Sequence, residues 1–414
     1  MHSFIRPATR LIIAACAILA ATFAAQAADP LKVGFSMALT GGLAGNGKAG
    51  ALAIKMWADD VNARGGLLGR KVDVIVYDDQ SNPSTVPGIY TKLLDVDKVD
   101  LIVSPYGTNL IAPIMPIAMN KGLTVMSFFG LSVNEQFKYD RYFQIMPMIA
   151  TSVPNAFFDT AMALSPKPQT VALVGVDAEF GKIIIDAARE AAKKHGLTIV
   201  YDRAYPPATV DFAPVIRGVA AAKPDLVFVG SYPPDSVGMV RAANELGLKA
   251  MMFGGGTVGP QFAAIKSQLG PLLNGVLSYE FYVPAPTLKF PGIDKFLTTY
   301  QGKAAAEGVD PLGFYLPPYI YAGMQVLEQA VTKAGSLDQK KIAEIIHTET
   351  FTTVVGDVKF GANGEWETPR ALLVQYQGVG TNTIDEFRQA GKEVILYPPK
   401  LKSGDIKVPF GDAK

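Results

Sequence analysis

"KVGFSMALTGGLAGNGKAGALAIKMWADDVNARGGLLGRKVDVIVYDDQSNP", residues 32–83, decides the fold. Its first apolar run, "LKVGFSMALT" (31–40) when Leu31 is included, reads as a strand. "KAGALAIKMWADDVNARGG" (48–66) carries apolar residues at helical spacing and stops at Gly65 and Gly66. "KVDVIVYDDQ" (71–80) reads as the next strand. Downstream come a helix over 84–96, strand "DLIVSP" (100–105), a helix over 109–121 and strand "LTVMSFF" (123–129). Strands and helices in this alternation imply a parallel sheet covered on both faces.

The rhythm restarts after a different passage, "RYFQIMPMIATSVP" (141–154). A helix over 151–164 leads to strand "TVALVGVD" (170–177), and a helix over 179–195 to strand "LTIVYDRAY" (197–205). Helix 211–222, strand "DLVFVGSY" (225–232), helix 234–246 and strand "AMMFGGG" (250–256) complete a second doubly wound unit. Helices over 292–307, 314–334 and 338–347 and short strands from 351 finish the chain. After Pro398 the hydrophobic pattern fades, so a poorly ordered tail is expected. Two α/β units bring two sets of strand C-terminal ends together, and ligands bind outside such ends. A ligand held between the units would be buried by their closure.

The chain of 414 residues is long enough for two domains. Its 38 basic and 37 acidic side chains nearly cancel, which argues against a nucleic-acid binder. Residues 1–27 read as an export signal. Arg6 and Arg10 precede the apolar "LIIAACAILAATFAA", and "AQA" (25–27) supplies small residues for cleavage before Ala28. Cys16 lies inside that segment. "IAAC" (13–16) has the look of a lipoprotein box, but cutting there would leave a very short apolar core. The mature chain is then expected to carry no thiol, disulfide or cysteine metal site, and only His195 and His347 as histidines. No later stretch has the length of a membrane span. An exported, periplasmic, soluble protein is the expectation.

Catalytic motifs are missing: there is no G-x-S-x-G, no Walker A sequence and no histidine pair at metal spacing. "GGLAGNG" (41–47) is Gly-rich after a strand but lacks the dinucleotide spacing, and reads as a loop or turn. "YGTNLIAP" (106–113) offers backbone N–H groups at a helix start, with Thr108 as cap and hydroxyl donor. By itself it is a helix cap first and a carboxylate cradle second. "SFFGL" (127–131) places Ser127 and Gly130 as a polar rim and Phe128 and Phe129 as an apolar wall, although strand alternation sends one phenylalanine into the core. Phe180 in "VDAEFGK" (176–182) faces a cleft or staples its helix. Asp235 in "GSYPPDS" (230–236) caps a helix or meets a ligand ammonium or hydroxyl. "GGGTVGP" (254–260), with Gly255, and "YEFY" (279–282) add a Gly-rich turn and aromatic surface.

The order of these stretches resembles the periplasmic solute-binding proteins of the branched-chain amino-acid family of ABC importers. Residues 32–83, 101–127, 171–182 and 225–256 carry the likeness, most specifically "N-x-x-G-G-x-x-G-R-K-V" (62–72) followed by "DDQ". The resemblance implies a type I two-lobed α/β fold with crossovers near 147, 278 and 355. Lobe 1 is expected from 28–146 with 279–354, lobe 2 from 147–278 with 355–398, and a tail from 399–414. It also implies that Thr108, with Asn109 beside it, meets a ligand carboxylate. The next strand-end pair of the family falls at Phe129 and Leu131, its second-lobe aromatic at Phe180, and its ammonium-binding acid at Asp235. Gly107, Ser127, Phe128, Gly130 and Gly255 complete the candidate ligand-binding set.

Two departures shape the expected ligand. Leu131 stands where amino-acid binders of the family often carry a hydroxyl, and Phe180 lacks a tyrosine hydroxyl. A buried ammonium needs acceptors. The expected ligand therefore has a carboxylate or similar head and an apolar or aromatic body, an expectation that rests on Phe128, Phe129 and Phe180. The expected role is capture and delivery to a membrane permease served by a cytoplasmic ATPase. The chain would act as a monomer, without a cofactor, nucleic acid or turnover. A sensory protein that presents its ligand to a separate receptor is the alternative of a different class.

Overall fold

The computed structural model describes residues 29–412. Five strands form the first sheet: β1 (Leu31–Met37), β2 (Val72–Asp78), β3 (Leu101–Tyr106), β4 (Val125–Phe128) and β5 (Tyr142–Gln144). Their order is β2-β1-β3-β4-β5 and every pairing is parallel. The second sheet takes β6 (Thr170–Val176), β7 (Thr198–Tyr205), β8 (Leu226–Ser231), β9 (Met252–Thr257) and β10 (Val276–Glu280). After a two-stranded ladder of β11 (Phe351–Thr353) and β12 (Gly356–Val358), it gains β13 (Leu372–Tyr376) and β14 (Glu393–Tyr397). Its order is β14-β13-β10-β9-β8-β6-β7, with β13 and β14 antiparallel at one end.

Burial along each strand follows its place in the sheet. The interior strands β3, β8 and β9 are buried at every position, as expected for strands covered on both faces. The edge strands β2 and β7 instead mix buried, half-buried and exposed positions. This is the α/β architecture of two doubly wound units expected from the sequence; β1–β4 and β6–β9 start and stop within a few residues of the expected limits, whereas β5 and β10 lie outside the expected strands.

Three segments depart from the expected reading. "AGNG" is not loop but the first turn of a helix spanning Ala44–Ala63, because Gly47 lets that helix approach β1. A Cβ on Gly47 would lie 1.9 Å from the Ala38 carbonyl oxygen. The single helix expected over 109–121 is three short pieces, Thr108–Ile111, a 3-10 turn Ala112–Ile114, and Met115–Lys121. Pro113 and Pro116 lack the N–H that a continuous helix needs. The stretch after Pro398 docks on the second sheet. Phe410 stacks 4.9 Å from Phe253 and donates its N–H to the Ala250 carbonyl, while Gln375 exchanges hydrogen bonds with the Lys407 backbone.

Helix Leu316–Ala334 packs on helix Ala44–Ala63 and on β4, so the chain returns to the first sheet before β13 joins the second. It thus crosses between the sheets three times, within 145–151, 281–292 and 359–371. The crossings are laced together. Trp366 Nε1 donates to the Ile145 carbonyl (2.8 Å), Arg370 N–H to that of Pro147 (2.7 Å), and Tyr319 Oη to that of Phe281 (3.0 Å). The expected export signal, with Cys16, lies outside the described residues. Among the described residues no helix is long and apolar enough to cross a membrane.

Candidate functional site

The C-terminal ends of β3 and β4 face those of β6, β8 and β9 across a cavity of about 420 Å³. That size lies within the ordinary range for a small-molecule site. Gly107, Thr108, Asn109, Phe129, Phe180 and Asp235, all anticipated from sequence, line it. Leu131 does as well.

Gly107 leaves β3 at φ +95°, a conformation that favours glycine. It, rather than Thr108, occupies the cap position of the short helix Thr108–Ile111. The Thr108 hydroxyl instead accepts the N–H of Leu131 (3.1 Å), which ties the β3 exit to the β4 exit. That contact uses a lone pair and leaves the hydroxyl proton for a ligand acceptor. Among the described residues the backbone N–H groups of Thr108 and Asn109 have no acceptor. Asn109 turns its side chain across the cavity, where Oδ1 accepts from Tyr232 Oη at 2.8 Å. The two lobes are joined by that bond.

Phe129 sits at φ +69°, an outlier for a bulky side chain. Its N–H is held by Gln144 Oε1 (3.0 Å), and its ring packs on Tyr315 (5.2 Å), Phe281 (5.6 Å) and Tyr106 (6.0 Å). The backbone is thus bent to lay this ring against the cavity. Phe180, in the first turn of helix Glu179–Lys194, packs 5.7 Å from Tyr232 on the other wall. Asp235 accepts from Tyr205 Oη (3.1 Å) and from the Tyr232 N–H (3.4 Å). Burial outweighs these bonds and pushes its carboxyl up to about 6. Among the described residues it is the one acidic or basic side chain lining the cavity.

Four anticipated residues do not line it. Ser127 and Phe128 lie inside β4 rather than beyond its end. Ser127 is fully buried and bonded to Tyr142 Oη (2.8 Å), and Phe128 is core packed by Gly323. A Cβ on Gly130 would lie 2.8 Å from Ile111 and Tyr142, so this glycine serves packing. Gly255 stands in mid-strand β9 at φ +102°, pressed against Phe228 and Phe157. The apolar wall expected from Phe128, Phe129 and Phe180 therefore keeps only the last two.

Sequence reasoning passed over the tyrosines. Tyr106 and Tyr232 stood inside quoted stretches and Tyr279 inside "YEFY", yet Tyr315 follows an irregular segment and carries no local signal. Tyr279 and Tyr315 hydroxyls lie 2.9 Å apart. Burial holds both well above the ordinary tyrosine range, so they stay protonated. Loop Pro207–Val210 edges the opening, with Val210 93% exposed. Among the described residues no group of His, Asp and Glu is placed to hold a metal ion.

Residues 30–379 match the model of a periplasmic binding protein family. The Leu/Ile/Val-binding protein homolog 8 of Brucella abortus is 25% identical over 94% of this chain and 96% of its own length. A branched-chain amino acid transporter substrate-binding protein of Streptococcus pneumoniae, solved with isoleucine, superposes at a TM-score of 0.74. It is 18% identical over 89% of this chain and all of its own. A solute-binding protein of an R. palustris ABC transporter, solved with benzoate, superposes at 0.72 with 20% identity, covering 89% of this chain and 95% of its own.

Proposed function

The chain belongs to the periplasmic binding protein family, and from that premise we propose that it is the exported solute-binding component of an ABC importer. Its ligand is a small carboxylate with an apolar or aromatic body, captured between lobes and delivered to a membrane permease. Residues 1–27 direct it to the periplasm, where it acts as a monomer and turns nothing over. The lobes exchange chain within 145–151, 281–292 and 359–371.

One observation carries this reading: a cavity between the lobes joins a hydrogen-bonding head to aromatic walls. Thr108 Oγ1 and the free N–H groups of Thr108 and Asn109 receive the carboxylate. Phe129 and Phe180, with Tyr106 and Tyr232, enclose the body. Contacts from both lobes favour the closed state, because a ligand shifts that balance only by what it gains on closing. The relatives solved with isoleucine and benzoate both fit this class of ligand.

Mass spectrometry of the small molecules released from purified, denatured protein tests the proposal. Calorimetric titration with isoleucine, leucine and benzoate gives the complementary measurement. Recovery of a sugar or a cationic metabolite, with no heat from any carboxylate, would sink it.

A further inference from the structure

We infer that the hydroxyls of Tyr106, Tyr279 and Tyr315 form a second polar subsite that takes a hydroxyl on the ligand's aromatic ring, so that the ligand is a phenolic carboxylic acid. This rests on the carboxylate reading above and narrows it.

The inference starts from how buried tyrosines are satisfied elsewhere in this protein. Tyr90, Tyr142, Tyr319 and Tyr376 are all fully buried, and each donates its hydroxyl proton to a backbone carbonyl; the buried Tyr300 hydroxyl, which does not line the cavity, is an exception with no partner. Tyr279 and Tyr315 are just as buried, at 2% and 1% exposure, yet they bond only to each other. Tyr106, 5% exposed, turns its hydroxyl toward Tyr315. All three line the cavity. Two hydroxyls that bond only to each other have two protons and one link, so one proton is left over whichever way that bond runs. Asn46 is 3% exposed and faces the Tyr106 hydroxyl. A spare donor is therefore left at one wall of the cavity, where burial makes an unmade hydrogen bond unfavourable.

Phe129 places this wall within reach of the ligand's ring, since it packs against both Tyr106 and Tyr315. A ligand hydroxyl there can accept the spare proton and donate to a tyrosine oxygen. An aliphatic side chain or a bare ring offers neither and leaves the cluster unpaired. Sites built to hydrogen-bond a hydroxyl discriminate strongly against analogues that lack it.

The test is calorimetric titration of the full chain, freed of carried-over ligand, with benzoate, 3-hydroxybenzoate, 4-hydroxybenzoate and isoleucine. The expected result is that a hydroxybenzoate binds about tenfold tighter than benzoate, one hydrogen bond's worth. Tyr279→Phe and Tyr315→Phe should remove that preference, so that each variant binds benzoate and the hydroxybenzoates within about threefold of one another. Equal binding of benzoate and both hydroxybenzoates overturns the subsite and leaves the carboxylate reading standing. So does a preference that survives in both variants. Binding of isoleucine alone also overturns the subsite, and no binding of any of the four overturns both readings. Should either variant fail to fold by circular dichroism, the wild-type comparison of benzoate with the hydroxybenzoates still decides.

Discussion

Tyr279 and Glu280 are neighbours on β10, and strand alternation turns them toward two different polar interiors. Tyr279 faces the cavity, where its only partner is Tyr315. Glu280 faces the core of the second lobe. There Lys266 Nζ lies 2.6 Å from Glu393 and 3.6 Å from Glu280, over the rings of Tyr376 and Phe387. Burial drives Glu280 well above the ordinary carboxyl range, and Lys266 only partly offsets it. For Lys266 burial acts downward, but Glu393 and Glu280 outweigh it and keep the ammonium charged. The core cluster lies away from the cavity: Lys266 pairs with Glu393, Glu280 is raised beside them, and Glu280 Oε1 and Oε2 and Glu393 Oε2 have no hydrogen-bond partner, with Asp310 also buried and raised nearby. The cavity cluster is left open. Both are buried and both keep unused hydrogen-bonding capacity, so what separates a structural knot from a binding surface is whether that capacity borders empty space.

The widest break in this comparison should come from Lys266→Met. It leaves Glu393 and Glu280 without their cation, and urea unfolding should show a loss of roughly 3–5 kcal/mol. Cavity-side changes should instead spare stability and alter binding. Asp235 gives a sign test. Its carboxyl titrates near pH 6, so an amino-acid ligand that sets an ammonium against it should bind more weakly as pH falls from 7 to 5. A carboxylic acid without an ammonium should bind more tightly over the same range, in either case by up to about tenfold. Titration at three pH values separates the two. In the ligand-free protein the same group, raised from 3.8, adds stability below that value which is lost as pH rises through 6.

A smaller effect is expected at the cross-lobe contact. Tyr232→Phe removes the bond to Asn109 and should speed ligand release about fivefold, with little change in association rate, by stopped-flow fluorescence. The least effect belongs to Glu280→Gln at pH 4.5. There the wild-type side chain already keeps its proton when folded, and the variant should match it within about 0.5 kcal/mol. As pH rises from 4.5, the ordinary value for an unburied Glu, wild type should lose stability relative to the variant, because its raised carboxyl must stay protonated in the folded state only. Parallel melts of the two proteins from pH 4.5 to 8 check this. A variant that is far less stable at every pH would mean that Glu280 is ionised.

Much of the site could be anticipated because topology says where to look. Gly107, Thr108 and Asn109 follow β3, Phe129 follows β4, and Phe180 and Asp235 open helices after β6 and β8. A ligand between two doubly wound units must meet such positions. The rule fails by a residue or two at its margin. Ser127 is expected on the polar rim and Phe128 on the apolar wall although β4 runs through Phe128, and Gly255 is expected in a turn although it is mid-strand. Glycine marks close packing as readily as it marks a ligand loop, and composition does not separate the two.

The amino-acid sequence by itself determined the two α/β units, their parallel sheets and the strand ends at which a ligand must sit. Those properties are local: continuous apolar runs, helical spacing and turn residues are written within each segment. Tertiary structure alone decided that Tyr106, Tyr279 and Tyr315 meet, that Tyr232 reaches Asn109, and that Glu280 is neutralised inside the core rather than exposed in the cavity. The partners in each case come from different crossings of the chain. Only packing, which sets how many neighbours a buried polar group can satisfy, distinguishes a side chain that is finished from one that awaits a ligand.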